Sequence, residues 1–480
     1  MGKLKTKAIK SIQWSFFQQI TNQIIGLVVT LFLVRLLDPD AFGLMGMIYV
    51  IISLGTVIID SGLGTSLIRT KAIDEADVST VFFSNLILSS LFYLIIFFIA
   101  PLVSEFYNQE ILIKLIRVLG LTLIINSFYL IQNVTLTKGL MFKKIALVSI
   151  LSNSLSAIVG IWLAYLNFGV WSIVIMNICN SMCSFLLYWN ISKWRPKFIF
   201  NTKKISVHFN FGYRLTIVNL LDAFFVNIYN IILGKYYNAN LLGFYTRADS
   251  LKKTIIFGVS TPLKTVLLPV LSEIQNDSER LRKIYTDILQ LVLLVISPIL
   301  LFSFVFATPI FHLLFTNKWD QAIPFFKIIC LSGILYPINT YVVSFLLVKG
   351  RSDLVLTLDL FKKLTLIIVI VVTMMFENII ILLWGQVIVS FIDFLFNIFV
   401  LKKILRLKIL YQLKTTIKNL FISGASSFFI FIIYIVFLEQ LQNNFILISL
   451  GLICFLIFNC AFIYLFNPLI FKTIWGYLKS

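Results

Sequence analysis

The chain has 480 residues, 60 % of them hydrophobic and only 12 % charged, whereas a soluble domain carries about 25 % charged side chains. With a mean hydropathy of +0.99, this composition excludes a soluble globular protein and predicts an all-α, polytopic integral membrane protein. The formal charge of +20, from 40 Lys and Arg against 20 Asp and Glu, lies on one side of a membrane in the reading below, so it is topogenic and not a nucleic-acid footprint.

The N-terminus, MGKLKTKAIKSIQWSFFQQITNQIIG, is basic and then amphipathic. It has no small-residue cleavage site after a short apolar core and reads as a retained first helix. A span needs about 20 mostly apolar residues. Cutting at charged or Asn/Pro/Gly-rich breaks predicts 14 spans, near 11–36, 42–68, 78–102, 111–137, 142–166, 170–191, 208–234, 241–272, 283–307, 321–348, 354–376, 380–401, 419–438 and 444–467.

The distribution of Lys and Arg tests that count. With Lys3, Lys5, Lys7 and Lys10 in the cytoplasm, every even-numbered helix ends in a basic loop. Arg69 and Lys71 follow the second helix, Lys138, Lys143 and Lys144 the fourth, and Lys193, Arg195, Lys197, Lys203 and Lys204 the sixth. Arg280, Arg282 and Lys283 come next, then Lys349 and Arg351, then Lys402, Lys403, Arg406, Lys408, Lys414 and Lys418; Lys472 and Lys479 close the chain. On the opposite side the loops hold only Lys235 and Lys318. Both termini are therefore expected in the cytoplasm.

The longest basic loops, SKWRPKFIFNTKKIS and LKKILRLKILYQLK, divide the chain into a six-helix bundle over 1–200, a second over 201–405, and two peripheral helices with a tail over 406–480. A weak internal repeat supports this plan. At a constant offset of 200, Arg35 falls on Lys235, Gly43 on Gly243, and Leu63, Thr65 and Leu67 on Leu263, Thr265 and Leu267. Two parallel bundles about an axis along the membrane normal is a recurrent transporter plan. Between Asn419 and Phe471 the one charged residue is Glu439, so the last two helices read as a lipid-facing pair with no transport role.

Ionised groups inside hydrocarbon cost about 2.5–3.5 kcal/mol each on insertion scales. The acids there are Asp60, Asp222, Asp249, Asp359 and Asp393. Among the bases, Arg35, Lys114, Lys327, Lys362 and Lys363 are near enough to helix ends to snorkel. Asp249 with Lys253, and Asp359 with Lys363, have the spacing and order of a helical ion pair. What remains is positive: Arg214, Arg247, Lys252 and Lys264 on the seventh and eighth helices, with Arg117 on the fourth. Basic residues facing a cavity suit a phosphate or carboxylate, so an anionic ligand is expected. Pro262 should loosen the eighth helix by removing a backbone donor. Asn219, Asn227, Asn230, Tyr213, Tyr229 and Tyr245 are candidate linings for the rest of a substrate.

No enzyme is expected. There is no GxxxxGK[ST], GxSxG or HExxH, and no large extramembrane domain in which chemistry would be housed. His208 and His312 are the only histidines, so a histidine-rich metal site is excluded. The five cysteines all lie in apolar segments and read as small core residues. No cofactor or metal is expected.

Several stretches then carry a resemblance. LDPDAFGLMGMIYVIISLGTVIIDSGLGTSLIRTKAIDEADVSTVFFSN (37–85) resembles the signature of bacterial polysaccharide flippases in the multidrug/oligosaccharidyl-lipid/polysaccharide exporter superfamily. It is most similar to the polysaccharide transporter branch, which includes the colanic acid and teichuronic acid exporters. TKGLMFKKIA, FGVWSIV, NANLLGFYTRADSL and LPVLSEIQNDSERLRKIY extend the likeness over about the first 400 residues.

The resemblance implies transfer of undecaprenyl-diphosphate-linked oligosaccharide repeat units from the cytoplasmic to the outer leaflet of the cell membrane, the inner membrane where there are two. The route it implies is alternating access through a central cationic cavity. Arg117, Arg214, Arg247, Lys252 and Lys264 would meet the diphosphate, and Asp60 or Asp222 would serve exchange of H+ or Na+. Membrane lipids and the polysaccharide polymerase machinery are the other implied partners. The competing reading, a drug or organic-cation antiporter of the same superfamily, calls for acids in the cavity, whereas the interior here has more bases than acids.

Overall fold

The computed structural model describes residues 2–468 apart from 61, 72, 276, 406, 439, 440 and 442. The helices in chain order are α1 (Gly2–Leu36), α2 (Pro39–Asp60), α3 (Leu63–Arg69), α4 (Glu75–Tyr107), α5 (Ile111–Lys138), α6 (Phe142–Tyr165), α7 (Val170–Ile191), α8 (Thr202–Val226), α9 (Ile228–Tyr236) and α10 (Ala239–Glu273). They continue as α11 (Ser278–Val305), α12 (Ala307–Leu314), α13 (Ala322–Gly333), α14 (Tyr336–Val348), α15 (Ser352–Met374), α16 (Ile379–Leu405), α17 (Ile409–Ile433) and α18 (Asn444–Phe466). No strand occurs among the described residues.

Helix is present over every predicted range, but the count of 14 spans is not confirmed. Among the described residues 11 helices are long and apolar enough to cross a membrane, or 12 if α8 and α9 form one bent span. α15 falls outside that set for a chemical reason: Asp359, Lys362 and Lys363 lie in its middle, a charge load beyond that of an ordinary span. The side chains of 261–270 in α10 lie outside the described residues. The protein is nonetheless a multi-pass membrane protein by the other helices.

The chain forms two compact units, Met1–Thr246 and Arg247–Ser480. In the first, α1 packs on α6, α6 on α7, α4 on α5, and α2 on α5 and α8. Leu63, Leu67, Val78, Val81, Phe82, Ile131 and Val134 join α3, α4 and α5 in one core. Two breaks shape this unit. Gly62, at φ 63°, turns the chain between α2 and α3, and a Cβ there would lie 2.7 Å from the Gly212 Cα of α8. α8 and α9 bend by 43° at Asn227, whose Nδ2 donates to Ala223 O at 2.8 Å and Ser53 Oγ at 3.1 Å.

The basic loop after α7 is tied to the start of α4. Asp74 and Asp77 form a capping box there. Lys204 pairs with Asp74 and lies 3.2 Å from Asp77, Lys197 pairs with Glu75, and Asn201 N donates to Thr80 Oγ1 at 3.0 Å. The hydrogen bond from Lys204 holds the Asp74 carboxyl well below the usual range, at about 2. His208 is 3 % exposed and bridges Ser66 Oγ (2.8 Å from Nδ1) and Asp77 Oδ1 (3.6 Å from Nε2). The loop that divides the sequence is therefore anchored by ion pairs and buried polar contacts.

In the second unit α11 packs on α17 and α13, α15 on α16, α16 on α13 and α14, and α17 on α18. The last two helices are seated on α11 through Phe302, Phe306, Ile430, Leu447 and Phe455, with Ser297 Oγ 2.8 Å from Ser423 Oγ. Gly451 admits the Phe306 ring, which a Cβ would meet at 2.3 Å. Their other faces expose Phe421, Phe428, Leu456 and Leu465. Glu439, Lys472 and Lys479 lie outside the described residues, as does Arg406.

Candidate functional site

Among the described residues, a dense set of charges on otherwise apolar helices lies in the second unit. On α10, Asp249, Lys252 and Lys253 share one helical face by their i, i+3 and i+4 spacing. Asp249 is 8 % exposed. Its Oδ1 accepts from Lys252 Nζ at 2.7 Å and its Oδ2 from Lys253 Nζ at 2.7 Å. One carboxylate thus serves two ammonium groups and leaves a positive excess. Gly333 of α13 allows this turn to approach: a Cβ there would lie 2.7 Å from Ile256 Cδ1 and 3.5 Å from Lys252 Cδ.

One turn further along α10, the Phe257 ring meets Tyr336 of α14, with centroids 6.1 Å apart at 72°. The same Tyr336 ring has Lys362 Nζ of α15 at 5.8 Å from its centroid. Lys362 also reaches Asp393 Oδ2 of α16 at 3.7 Å. Asp393 is 4 % exposed, and its Oδ1 has no hydrogen-bond partner among the described residues. Beside it Lys363 donates to Asp359 Oδ2 at 2.5 Å. Phe361 and Phe396 stack at 3.8 Å between α15 and α16, and Ser390 Oγ donates to Ser332 O at 2.9 Å, holding α16 against α13. Asn397 Nδ2 bonds Asn339 Oδ1 of α14.

The result is a polar seam built from α10 and α13 to α16, with four lysines against three aspartates. Arg247, half-buried two residues before Asp249, adds a further positive charge. Paired but not neutralised, these side chains form a site whose fixed charge favours an oxyanion over a cation.

Of the other residues singled out by sequence, Arg117, Arg214, Asp60 and Asp222 belong to the first unit. Arg117 is held by α4: its Nε donates to Phe97 O at 3.3 Å, and its guanidinium sits 4.1 Å over the Phe97 ring. Arg214 is exposed on α8, with Nε 3.1 Å from Tyr213 Oη. Asp60 is half-buried at the last turn of α2, where a Cβ on Gly64 would lie 3.1 Å from its Oδ1. Asp222 is half-buried on α8. Lys264 and Pro262 belong to α10, but their side chains lie outside the described residues. Of the expected linings, Tyr229 and Tyr245 stack at 6.1 Å, and Asn230 Nδ2 donates to Asn227 Oδ1 at 3.3 Å.

Lys362 and Lys363, expected to lie near enough to a helix end to snorkel, each reach a carboxylate, Asp393 and Asp359 respectively. The pairing of Asp359 with Lys363 is observed as spaced, whereas Lys362 with Asp393 escaped the sequence reading because the partners lie on different helices. The available signal was Asp393 itself, the one acid in α16.

Comparison with known proteins places the chain and its fold. A family model described as polysaccharide biosynthesis protein matches residues 32–324. The lipopolysaccharide biosynthesis protein WzxC of Escherichia coli (strain K12) is 25 % identical over 406 residues, covering 83 % of this chain and 82 % of its own length. The teichuronic acid biosynthesis protein TuaB of Bacillus subtilis (strain 168) is 24 % identical, with 77 % of each chain covered. The succinoglycan biosynthesis transport protein ExoT of Rhizobium meliloti (strain 1021) is 22 % identical over 69 % of this chain and 68 % of its own. Among solved structures, the lipid II flippase MurJ in an inward closed conformation superposes with a TM-score of 0.75 at 16 % identity, over 94 % of this chain and 99 % of that one. An inward-facing multidrug resistance MATE family transporter of the MOP superfamily gives 0.61 at 16 % identity, over 80 % and 95 %. At such identities the structural likeness establishes the fold, that of MurJ and the MATE transporters.

Proposed function

The chain belongs to the polysaccharide biosynthesis protein family, and from that premise we propose that it flips undecaprenyl-diphosphate-linked oligosaccharide repeat units from the cytoplasmic to the outer leaflet by alternating access. The observation that carries this reading is the cationic seam, in which Lys252 and Lys253 share Asp249 and leave positive charge in an apolar setting. A diphosphate is the group that such excess charge recognises, since charge-assisted hydrogen bonds to oxyanions are roughly twice as strong as neutral ones. An organic-cation antiporter with this fold would need the opposite balance.

In this reading Arg247, Lys252 and Lys264 contact the diphosphate, with Arg117 and Arg214 as further contacts, and Asp60 or Asp222 takes the exchanged H+ or Na+. The substrate enters from a cell membrane in which both termini are cytoplasmic, and the product goes to the polysaccharide polymerase machinery. Residues 1–200 and 201–405 act as the two moving bundles, and 406–480 add a peripheral pair.

The test uses purified protein in proteoliposomes holding a fluorescent polyprenyl-diphosphate glycolipid, with leaflet-specific chemical quenching. The expected result is faster equilibration between leaflets than in protein-free vesicles. Arg247→Glu combined with Lys264→Glu should lower the rate at least tenfold while leaving insertion intact, about 1.4 kcal/mol of transition-state stabilisation. Equilibration no faster than in empty vesicles would refute the flippase reading. An unchanged rate in the double variant would remove those residues from the site.

A further inference from the structure

A polar cavity lies in the first unit. It has a volume of about 240 Å³ and is lined by Asn22 of α1, Asn153 and Ser156 of α6, and Asn177 and Asn180 of α7. No charged side chain lines it. Ser149, Asn153 and Ser156 fall at i, i+4 and i+7 and so share one face of α6. Asn177 and Asn180 share a face of α7 in the same way.

The amides are joined head to tail. Asn180 Nδ2 donates to Asn153 Oδ1 at 2.6 Å, Asn153 Nδ2 to Asn22 Oδ1 at 2.9 Å, and Asn22 Nδ2 to Ser149 Oγ at 2.7 Å. Asn177 Nδ2 donates to Ile173 O at 2.7 Å and Tyr49 Oη at 3.2 Å. This chain orients the side chains and leaves spare capacity of both kinds. The carbonyl oxygens of Asn177 and Asn180 accept nothing among the described residues, and the second N–H of Asn22 and of Asn153 is uncommitted. Such amides in an apolar layer are costly unless their partners are supplied.

We propose that this cavity binds one uncharged, hydroxyl-rich ring, a sugar unit of the glycan, by hydrogen bonds to the amides of Asn22, Asn153, Asn177 and Asn180. A hydroxyl both donates and accepts, which matches the mixed inventory of the wall. A charged group would find no counter-charge here, and a purely apolar one would strand the amides. At about 30 Å³ per water molecule the space is large enough for several waters, which a ring would displace. The apolar side of the same wall, Ile25, Val29 and Met176, suits the C–H face of a pyranose. The inference rests on the glycolipid reading above but concerns a different site from the cationic seam.

Gly26 offers a steric test. It lines the cavity one turn from Asn22, and a Cβ built there meets nothing within 4 Å, so Gly26→Leu adds bulk to the space without removing an amide. Saturation-transfer NMR on the full-length protein in nanodiscs would be run with methyl α-glucoside, methyl α-galactoside and N-acetylglucosamine, with glucose 6-phosphate and sodium chloride as further arms. The expected result is saturable binding of at least one uncharged sugar, weaker binding of the phosphorylated one, and about a tenfold loss in both Gly26→Leu and Asn180→Leu, equivalent to about 1.4 kcal/mol. Binding unaffected by both substitutions, no uncharged sugar bound, or a sugar signal abolished by sodium chloride would each overturn the inference. Flipping in proteoliposomes without sugar binding at the cavity defeats this inference and leaves the flippase reading standing; sugar binding without flipping does the reverse.

Discussion

Lys362 and Asp393 show what a single pair of side chains does in this molecule. Asp393 is 4 % exposed, and the side chain of Lys362 remains 42 % exposed, so the carboxylate depends on a neighbour that is itself half in a polar environment. Removing one partner of a fully buried pair costs about 3–5 kcal/mol, because a charge is left stranded; the exposure of Lys362 puts this pair below that range. Lys362→Met and Asp393→Asn should each lower thermal stability in detergent, and the double variant should recover part of the loss. The coupling expected for side chains in contact is about 0.5–3 kcal/mol. Strict additivity across the cycle would show that the two groups do not interact. The same residue scale explains what spacing reveals. Asp249 with Lys253 and Asp359 with Lys363 are pairs within one helix, whose period is known in advance. Lys362 with Asp393 needs the packing of α15 on α16.

At the scale of elements, α2 and the first turns of α10 make the closest glycine-mediated contact among the described residues. A Cβ on Gly43 would lie 1.7 Å from Ala239 O, and a Cβ on Gly243 would lie 1.9 Å from Pro39 O. Gly46 faces Thr246 in the same crossing, with Cγ2 at 2.9 Å. The contact is reciprocal, and its members are related by the offset of 200 that the sequence shows for Gly43 and Gly243. Small residues allow backbones in a membrane to approach to this distance, and no other residue type fits. Gly243→Leu should destabilise the protein by at least about 1–3 kcal/mol, the usual cost of overpacking. Gly424→Ala on α17, where a Cβ meets nothing within 4 Å, should be neutral or gain about 0.5–1 kcal/mol from helix propensity. Equal melting temperatures for the two variants would show that the crossing tolerates a side chain.

For the whole molecule, the distribution of charge makes a claim about orientation. If both termini are cytoplasmic, alkaline phosphatase fused after Asn108 or Glu377 should be active, and a fluorescent protein fused after Lys197 or Gln275 should fold and emit. The reverse pattern would invert the topology. Membrane embedding, the helical class, the positions of the helices and the excess of positive charge were legible in the sequence, because each depends on composition or on periodicity along one chain. The breaks at Gly62 and Asn227, the sharing of Asp249 by two lysines, the pairing of Lys362 with Asp393 and the amide chain from Asn180 to Ser149 were decided only by tertiary structure. A charge in an apolar helix announces that it needs a partner, since the apolar layer supplies none, but which partner it finds depends on helices far apart in the chain coming within a few ångströms. The neutral cavity was hidden for a related reason. Asparagines change neither net charge nor mean hydropathy enough to stand out, and four of them become a site only where α1, α6 and α7 bring them together.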